Sequence, residues 1–102
     1  MLVAFSISPS TSGQDGSVSP AVAAAVEVVR ASGLPARTDS MFTTIEGSWD
    51  ECMTVVKKAC EAVGKFGPRV SLVLKADIRP GFEGELDAKL ERLEKAIQAR
   101  KN

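Results

Sequence analysis

The chain has 102 residues, thirteen basic and thirteen acidic side chains, and neither histidine nor tyrosine. That length suits one domain with a real core, and zero net charge argues against a protein held on nucleic acid by a basic excess. Without histidine, the usual general base near neutral pH and the commonest transition-metal ligand are both missing.

The first predicted strand, Leu2 to Ser8, alternates Val3, Phe5 and Ile7 with Ala4, Ser6 and Ser8. Successive strand side chains point to opposite sides, so one face is apolar and the other small and polar. Pro9 to Ser17 is a loop rich in glycine and hydroxyls. It precedes a helix start and invites a phosphate reading, but lacks the lysine and glycine spacing of a P-loop. Ser19-Pro20 reads as N-cap and first helical position. Val22, Ala25, Val26 and Val29 form the stripe of a helix that Gly33 ends. Ala36 to Met41 is a weak, edge-like strand. Phe42 to Gly47 is a third strand, with Thr43 and Ile45 on one side and Phe42, Thr44 and Glu46 on the other.

Ser48 and Glu51 make a capping box for a second helix. It carries Trp49, Cys52, Met53, Val56, Ala59, Cys60 and Val63 at helical spacing, and Gly64 and Gly67-Pro68 stop it. The cysteines lie about 12 Å apart along that helix, too far for an intrahelical disulfide. They read as buried thiols, and no metal is expected. The fourth strand, Arg69 to Arg79, sets Val70, Leu72, Leu74 and Ala76 against Ser71, Val73, Lys75 and Asp77. After Pro80-Gly81, a last helix carries Leu86, Leu90, Leu93 and Ile97 in a stripe, with Glu91 and Lys95 paired on its surface.

Strand, helix, strand, strand, helix, strand is the split βαβ plan. The reading is therefore an α+β, ferredoxin-like βαββαβ sandwich with an additional C-terminal helix, as one domain over residues 1–102. The last helix is surplus to this plan: its leucine stripe can fold back on its own domain or pack against another subunit, and the second is favoured because two helices already cover the core face. The N-terminus lacks the basic flank and apolar run of a signal peptide, and no stretch approaches a membrane span. A cytoplasmic setting is expected, with no nucleic-acid or membrane partner. The open sheet face offers Ser6, Ser8, Phe42, Thr44, Glu46, Lys75 and Asp77, unless it is an ordinary solvated face.

Three stretches carry a resemblance: Gly16-Ser17-Val18-Ser19, Thr43-Thr44-Ile45-Glu46-Gly47, and Lys75-Ala76-Asp77-Ile78-Arg79-Pro80-Gly81. Their order and spacing resemble the small thiamine-binding proteins of the YkoF-like superfamily, over approximately Met1 to Gln98. Where relatives often carry a proline and a glycine before the third-strand threonine, this chain has Ser40 and Phe42. The resemblance implies binding of thiamine or its hydroxymethyl-pyrimidine part without chemistry on it, in homodimers or homotetramers. It implies no cofactor beyond thiamine as the bound ligand.

The residue chemistry suits such a ligand. Glu46 and Asp77 can accept from an amino group. Ser6, Ser8, Thr43 and Thr44 can donate and accept. Phe42 or Trp49 can stack on a ring or face the thiazolium cation, and Arg79 can meet a phosphate. Plainer readings stand beside these. Glu46 and Lys75 can form a cross-strand ion pair, Asp77 and Arg79 can fix the turn into Pro80, Trp49 can anchor a core or an interface, and Ser6 and Ser8 can be small so that another subunit comes close. The competing functions are an oligomeric regulatory or scaffold protein without thiamine affinity, and a cofactor-free enzyme using Glu46 or Asp77. An RNA-binding reading lacks the aromatic stacking pattern of an RRM.

Overall fold

A computed structural model describes residues 1–10 and 18–101. The elements are β1 (Leu2–Pro9), α1 (Ser19–Ser32), β2 (Ala36–Thr38), β3 (Thr43–Glu46), α2 (Trp49–Val63), a 3₁₀ turn (Gly64–Phe66), β4 (Val70–Asp77) and α3 (Glu85–Lys101). The strands form one antiparallel sheet in the order β2-β3-β1-β4. This is the expected ferredoxin-like sandwich with a third, C-terminal helix. From residue 11 to residue 17, the glycine- and hydroxyl-rich loop lies outside the described residues.

Local chemistry sets the helix ends. The Ser48 hydroxyl accepts from the Glu51 amide at 3.2 Å, and the Glu51 carboxylate accepts from the Ser48 amide at 2.9 Å. These bonds supply partners for amides that a helix start leaves unpaired, and they hold the Glu51 carboxyl below its ordinary range. At the other end of α1, Gly33 takes the left-handed conformation, φ 74°, which glycine adopts without steric cost. Val18, one residue earlier than expected, is the N-cap of α1, and Pro20 falls within its first turn.

The core lies between one sheet face and α1 and α2. Val3, Phe5, Ile7 and Ile45 meet Ala21, Ala25 and Val29 of α1 and Cys52, Val55, Val56, Ala59 and Val63 of α2. Full burial of each large aliphatic side chain contributes about 1.5–3 kcal/mol. Cys52 is buried as expected, whereas Cys60 is only half-buried. Both are free thiols, and burial raises the pKa of each.

Two positions break the alternation. Leu72 has the core parity yet is 42% exposed: β4 is an edge strand, and its Val70, Leu74 and Ala76 pack against the core where Leu72 does not. Glu46 has the open parity yet is buried, for a reason that lies in α3. Trp49 is not a core anchor: it stands 57% exposed at the start of α2.

Candidate functional site

Register places the open-face residues in rows. Asp77, Leu2 and Glu46 share one row; Lys75, Ala4, Thr44 and Arg37 share the next; Val73 lies beside Ser6, and Ser71 beside Ser8. Since β1 separates β3 from β4, Glu46 and Lys75 are not cross-strand neighbours, and the ion pair expected as the plain role of Glu46 does not form.

The start of α3 engages Glu46 instead. Its two carboxylate oxygens accept the amides of Glu85 at 2.8 Å and Leu86 at 3.1 Å. The carboxylate caps the helix from a strand far away in sequence, and the helix covers it to 8% exposure. A negative group at a helix N-terminus is favoured by the unpaired amides and by the helix dipole. Gly84, the residue before α3, has no side chain to cap the helix with, and the strand carboxylate takes that place.

Polar contacts on either side hold the same helix turn. Arg37 of β2 donates to Asp87 at 2.6 Å. Lys89 pairs with Asp77 of β4, and the ammonium holds the Asp77 carboxyl below its ordinary range. Within α3, Arg92 grips Glu85 through both nitrogens, at 3.0 and 2.7 Å, and thereby lowers the Glu85 pKa. Past Lys89 most of the helix is exposed, including Leu90 and Leu93 of the apolar stripe.

The expected ligand-binding residues fall into two cavities. The larger, about 620 Å³, lies under the β4–α3 loop and is lined by Glu46, Trp49, Arg79 and Phe82 among others. There the Arg79 guanidinium sits 3.6 Å over the Phe82 ring, a cation–π contact that the sequence reading did not foresee. The loop turns on Gly81 and Gly84, both at positive φ. The smaller cavity, about 260 Å³, is lined by Ser6, Ile7, Ser8, Phe42 and Thr43, with Val22 and Val26 of α1 forming apolar wall. Thr44 and Asp77 lie on the open face and line neither cavity. Within one chain, no single pocket gathers all nine residues.

Strand length creates the smaller cavity. β1 pairs with β4 along Leu2–Pro9, but β3 pairs with it only as far as Phe5. Beyond Phe5, β3 offers β1 no partner among the described residues, and the chain turns away through Asp39. The Asp39 carboxylate accepts the amides of Met41 at 2.8 Å and Phe42 at 2.9 Å. This Asx turn lowers the Asp39 pKa. The Thr38 and Thr43 hydroxyls share a 3.0 Å hydrogen bond at the cavity wall. Thr38, Asp39 and Met41 are lining residues that the sequence reading missed, and the Asx-turn composition after Thr38 was the available signal. Among the described residues, no group of three or more cysteine, aspartate or glutamate side chains is placed to hold a metal ion, and no helix is long and apolar enough to cross a membrane.

The fold defines a small α+β protein of ferredoxin-like plan whose C-terminal helix is held on the sheet by polar side chains. The chain belongs to the thiamine-binding protein family, whose model matches residues 3–94. UPF0045 protein Mb1933 of Mycobacterium bovis is 48% identical over 98 residues, covering 95% of this chain and 94% of its own. The crystal structure of hypothetical protein MJ1052 from Methanocaldococcus jannaschii superposes with a TM-score of 0.82 at 33% identity, over 91% of this chain and 94% of that one. A candidate thiamine biosynthesis/salvage protein (TM0486) from Thermotoga maritima shares the fold, with a TM-score of 0.73 at 24% identity, over 88% of this chain and 96% of that one.

Proposed function

We propose that this protein binds thiamine or its hydroxymethyl-pyrimidine moiety without chemistry on it, in sequestration, delivery or salvage, as a cytoplasmic homodimer or homotetramer. Family membership supports the ligand class. The observation that carries the reading is the place where β1 outruns β3, leaving Ser6, Ile7 and Ser8 beside Phe42 and Thr43 in a cavity of about 260 Å³. A flat aminopyrimidine needs donors and acceptors in its ring plane and an apolar wall over its face. An interrupted sheet edge supplies the first, together with the serine and threonine hydroxyls. Phe42 and the valines of α1 supply the second. Pockets that take small molecules have this make-up, mostly apolar with a few placed polar groups. The larger cavity, with Glu46, Trp49 and Arg79, lies at the other end of β1 and does not reach the same molecule.

Calorimetric titration with thiamine, its phosphates and the free pyrimidine tests this. The pyrimidine alone should bind. Ser6→Val, which replaces the hydroxyl with a methyl-bearing side chain, should weaken it about tenfold, the scale of one neutral hydrogen bond. A protein that assembles yet shows no heat and no thermal shift with any of these compounds is instead a scaffold.

A further inference from the structure

We propose that the cavity under the β4–α3 loop is a second ligand site, taking a small aromatic carboxylate whose carboxylate meets Arg79 and whose ring lies along Trp49. It is separate from the smaller cavity and does not depend on the thiamine reading.

The loop builds a fixed cation. Arg79 to Phe82 is a β-turn, closed by the Phe82 amide donating to the Arg79 carbonyl at 3.2 Å. Pro80 in second place and Gly81 in third, at φ 83°, are the residues that a type II turn selects. The turn brings its first and last side chains together, which sets the Arg79 guanidinium 3.6 Å over the Phe82 ring. Among the described residues, that guanidinium donates no side-chain hydrogen bond. Its contact with the Glu85 carboxylate is 3.9 Å long, beyond hydrogen-bond length, and Glu85 is already gripped by Arg92. Five N–H donors in one plane, oriented by a ring and not committed elsewhere, match the two oxygens of a carboxylate.

The rest of the lining offers a place for a ring. Trp49, Ile78 and Phe82 all border the cavity, and each is exposed, Ile78 to 60%. Large apolar side chains left wet around one hollow mark an interaction site. A volume of about 620 Å³ falls in the range of small-molecule clefts, and an indole face takes a flat ring by offset stacking.

Charge sets the class. Glu46, Glu51 and Glu83 line the same cavity. Glu46 accepts the amides of Glu85 and Leu86, and Glu51 that of Ser48. This occupies both as acceptors without removing them from the charge balance. Against three carboxylates stand Arg79 and the Met1 ammonium, which donates to the Gly47 carbonyl at 2.7 Å. The lining is therefore net negative, and a dianion such as a phosphate monoester meets twice the repulsion of a monoanion. A cation gains from that balance but finds only Glu83 uncommitted, and it faces the positive ends of α2 and α3, which start at the cavity. A monoanion that places its charge on one guanidinium is the better match.

Trp49 is the chain's one tryptophan, and there is no tyrosine, so intrinsic fluorescence reports on this cavity. Titration with phenylacetate should change the Trp49 emission saturably, and calorimetry should return the same dissociation constant. Acetate, which lacks the ring, and phenyl phosphate and 2-phenylethylamine, which carry the wrong charge, should each bind about tenfold more weakly or worse. Arg79→Gln should weaken phenylacetate about tenfold or more, the scale of a charge-assisted hydrogen bond. Arg79 also lies near Glu85, so Trp49→Leu serves as a second variant, remote from the ion pairs of α3 and followed by calorimetry. It too should weaken binding. Ser6→Val, in the smaller cavity, should leave the phenylacetate affinity unchanged, and thiamine should not compete, so this site and the thiamine reading stand or fall separately. Absence of saturable phenylacetate binding overturns the site. Unchanged affinity in both the Arg79→Gln and Trp49→Leu proteins overturns its placement, as does loss on Ser6→Val. Tighter binding of phenyl phosphate or phenylethylamine overturns the ligand class, and competition by thiamine overturns the separation of the two cavities.

Discussion

The two faces of the sheet are closed by different means. On one, α1 and α2 cover Val3, Phe5, Ile7 and Ile45 with apolar side chains. On the other, α3 covers only one end, and polar side chains hold it: Glu46 on its first amides, Arg37 on Asp87 and Asp77 on Lys89. Apolar burial is non-directional and scales with area, so that face tolerates little change in volume. The polar attachment depends on a few directed bonds, and its strength changes with charge and pH. The first face makes the fold, while the second sets where an appended helix stands.

Substitutions should separate the two. Ile45→Ala, at a fully buried position, should cost about 2–5 kcal/mol in denaturant unfolding, the range for large-to-small core changes. If it costs under 1 kcal/mol, the helix-covered face is not the core. Glu46→Ala should cost about 1–3 kcal/mol, because two amides lose a charged acceptor. Hydrogen exchange should then speed up at Glu85 and Leu86 while the amides of β1 stay protected. Loss of protection in β1 as well would mean that the two faces are one cooperative unit. Ser48→Ala, which removes the cap of α2, should cost about 1 kcal/mol, measurable as a lower Tm.

The smallest effects belong to the exposed pairs. Lys89→Ala should cost about 0.2–1 kcal/mol, with faster exchange in the first turns of α3. Acid should act on the same attachment. Lys89 depresses the Asp77 pKa in the fold, and Arg92 depresses that of Glu85. Their stabilisation is therefore present at pH values above the ordinary 3.8 and 4.5, and is lost as pH falls through the lower folded values. Exchange followed down that range should show α3 loosening before the helix-covered face does. Simultaneous loss would remove the distinction.

The helix-covered face was legible in the sequence because a period of two along β1 and of three to four along α1 and α2 reports burial directly. The capping box at Ser48 and the left-handed Gly33 were equally legible, being local. Glu46 was not read correctly. Its strand parity marks it as open, and its partners are backbone amides of residues 85 and 86, which no side-chain pattern reveals. The expected pairing with Lys75 failed on topology, since the ferredoxin-like order itself places β1 between the two strands. Leu72 misled for the converse reason, as parity says which face a residue is on and not whether anything covers that face at an edge. Of the candidate site, the residue types were legible and their grouping was not. Ser6 and Ser8 meet Phe42 and Thr43 only because β3 stops short, and strand ends are what sequence patterns define least well.

The way α3 is fastened also has a mechanical meaning. A pull on the far end of the helix, directed away from the sheet, meets its attachments one after another. The Lys89 pair comes first, then Asp87, and the Glu46 cap last, so each contact bears the load alone and the helix peels at low force. The β1–β4 pair, if drawn along its strands, shares load across all the bonds from Leu2 to Pro9 at once. A tether attached through α3 would therefore yield at the joint and leave the sandwich whole.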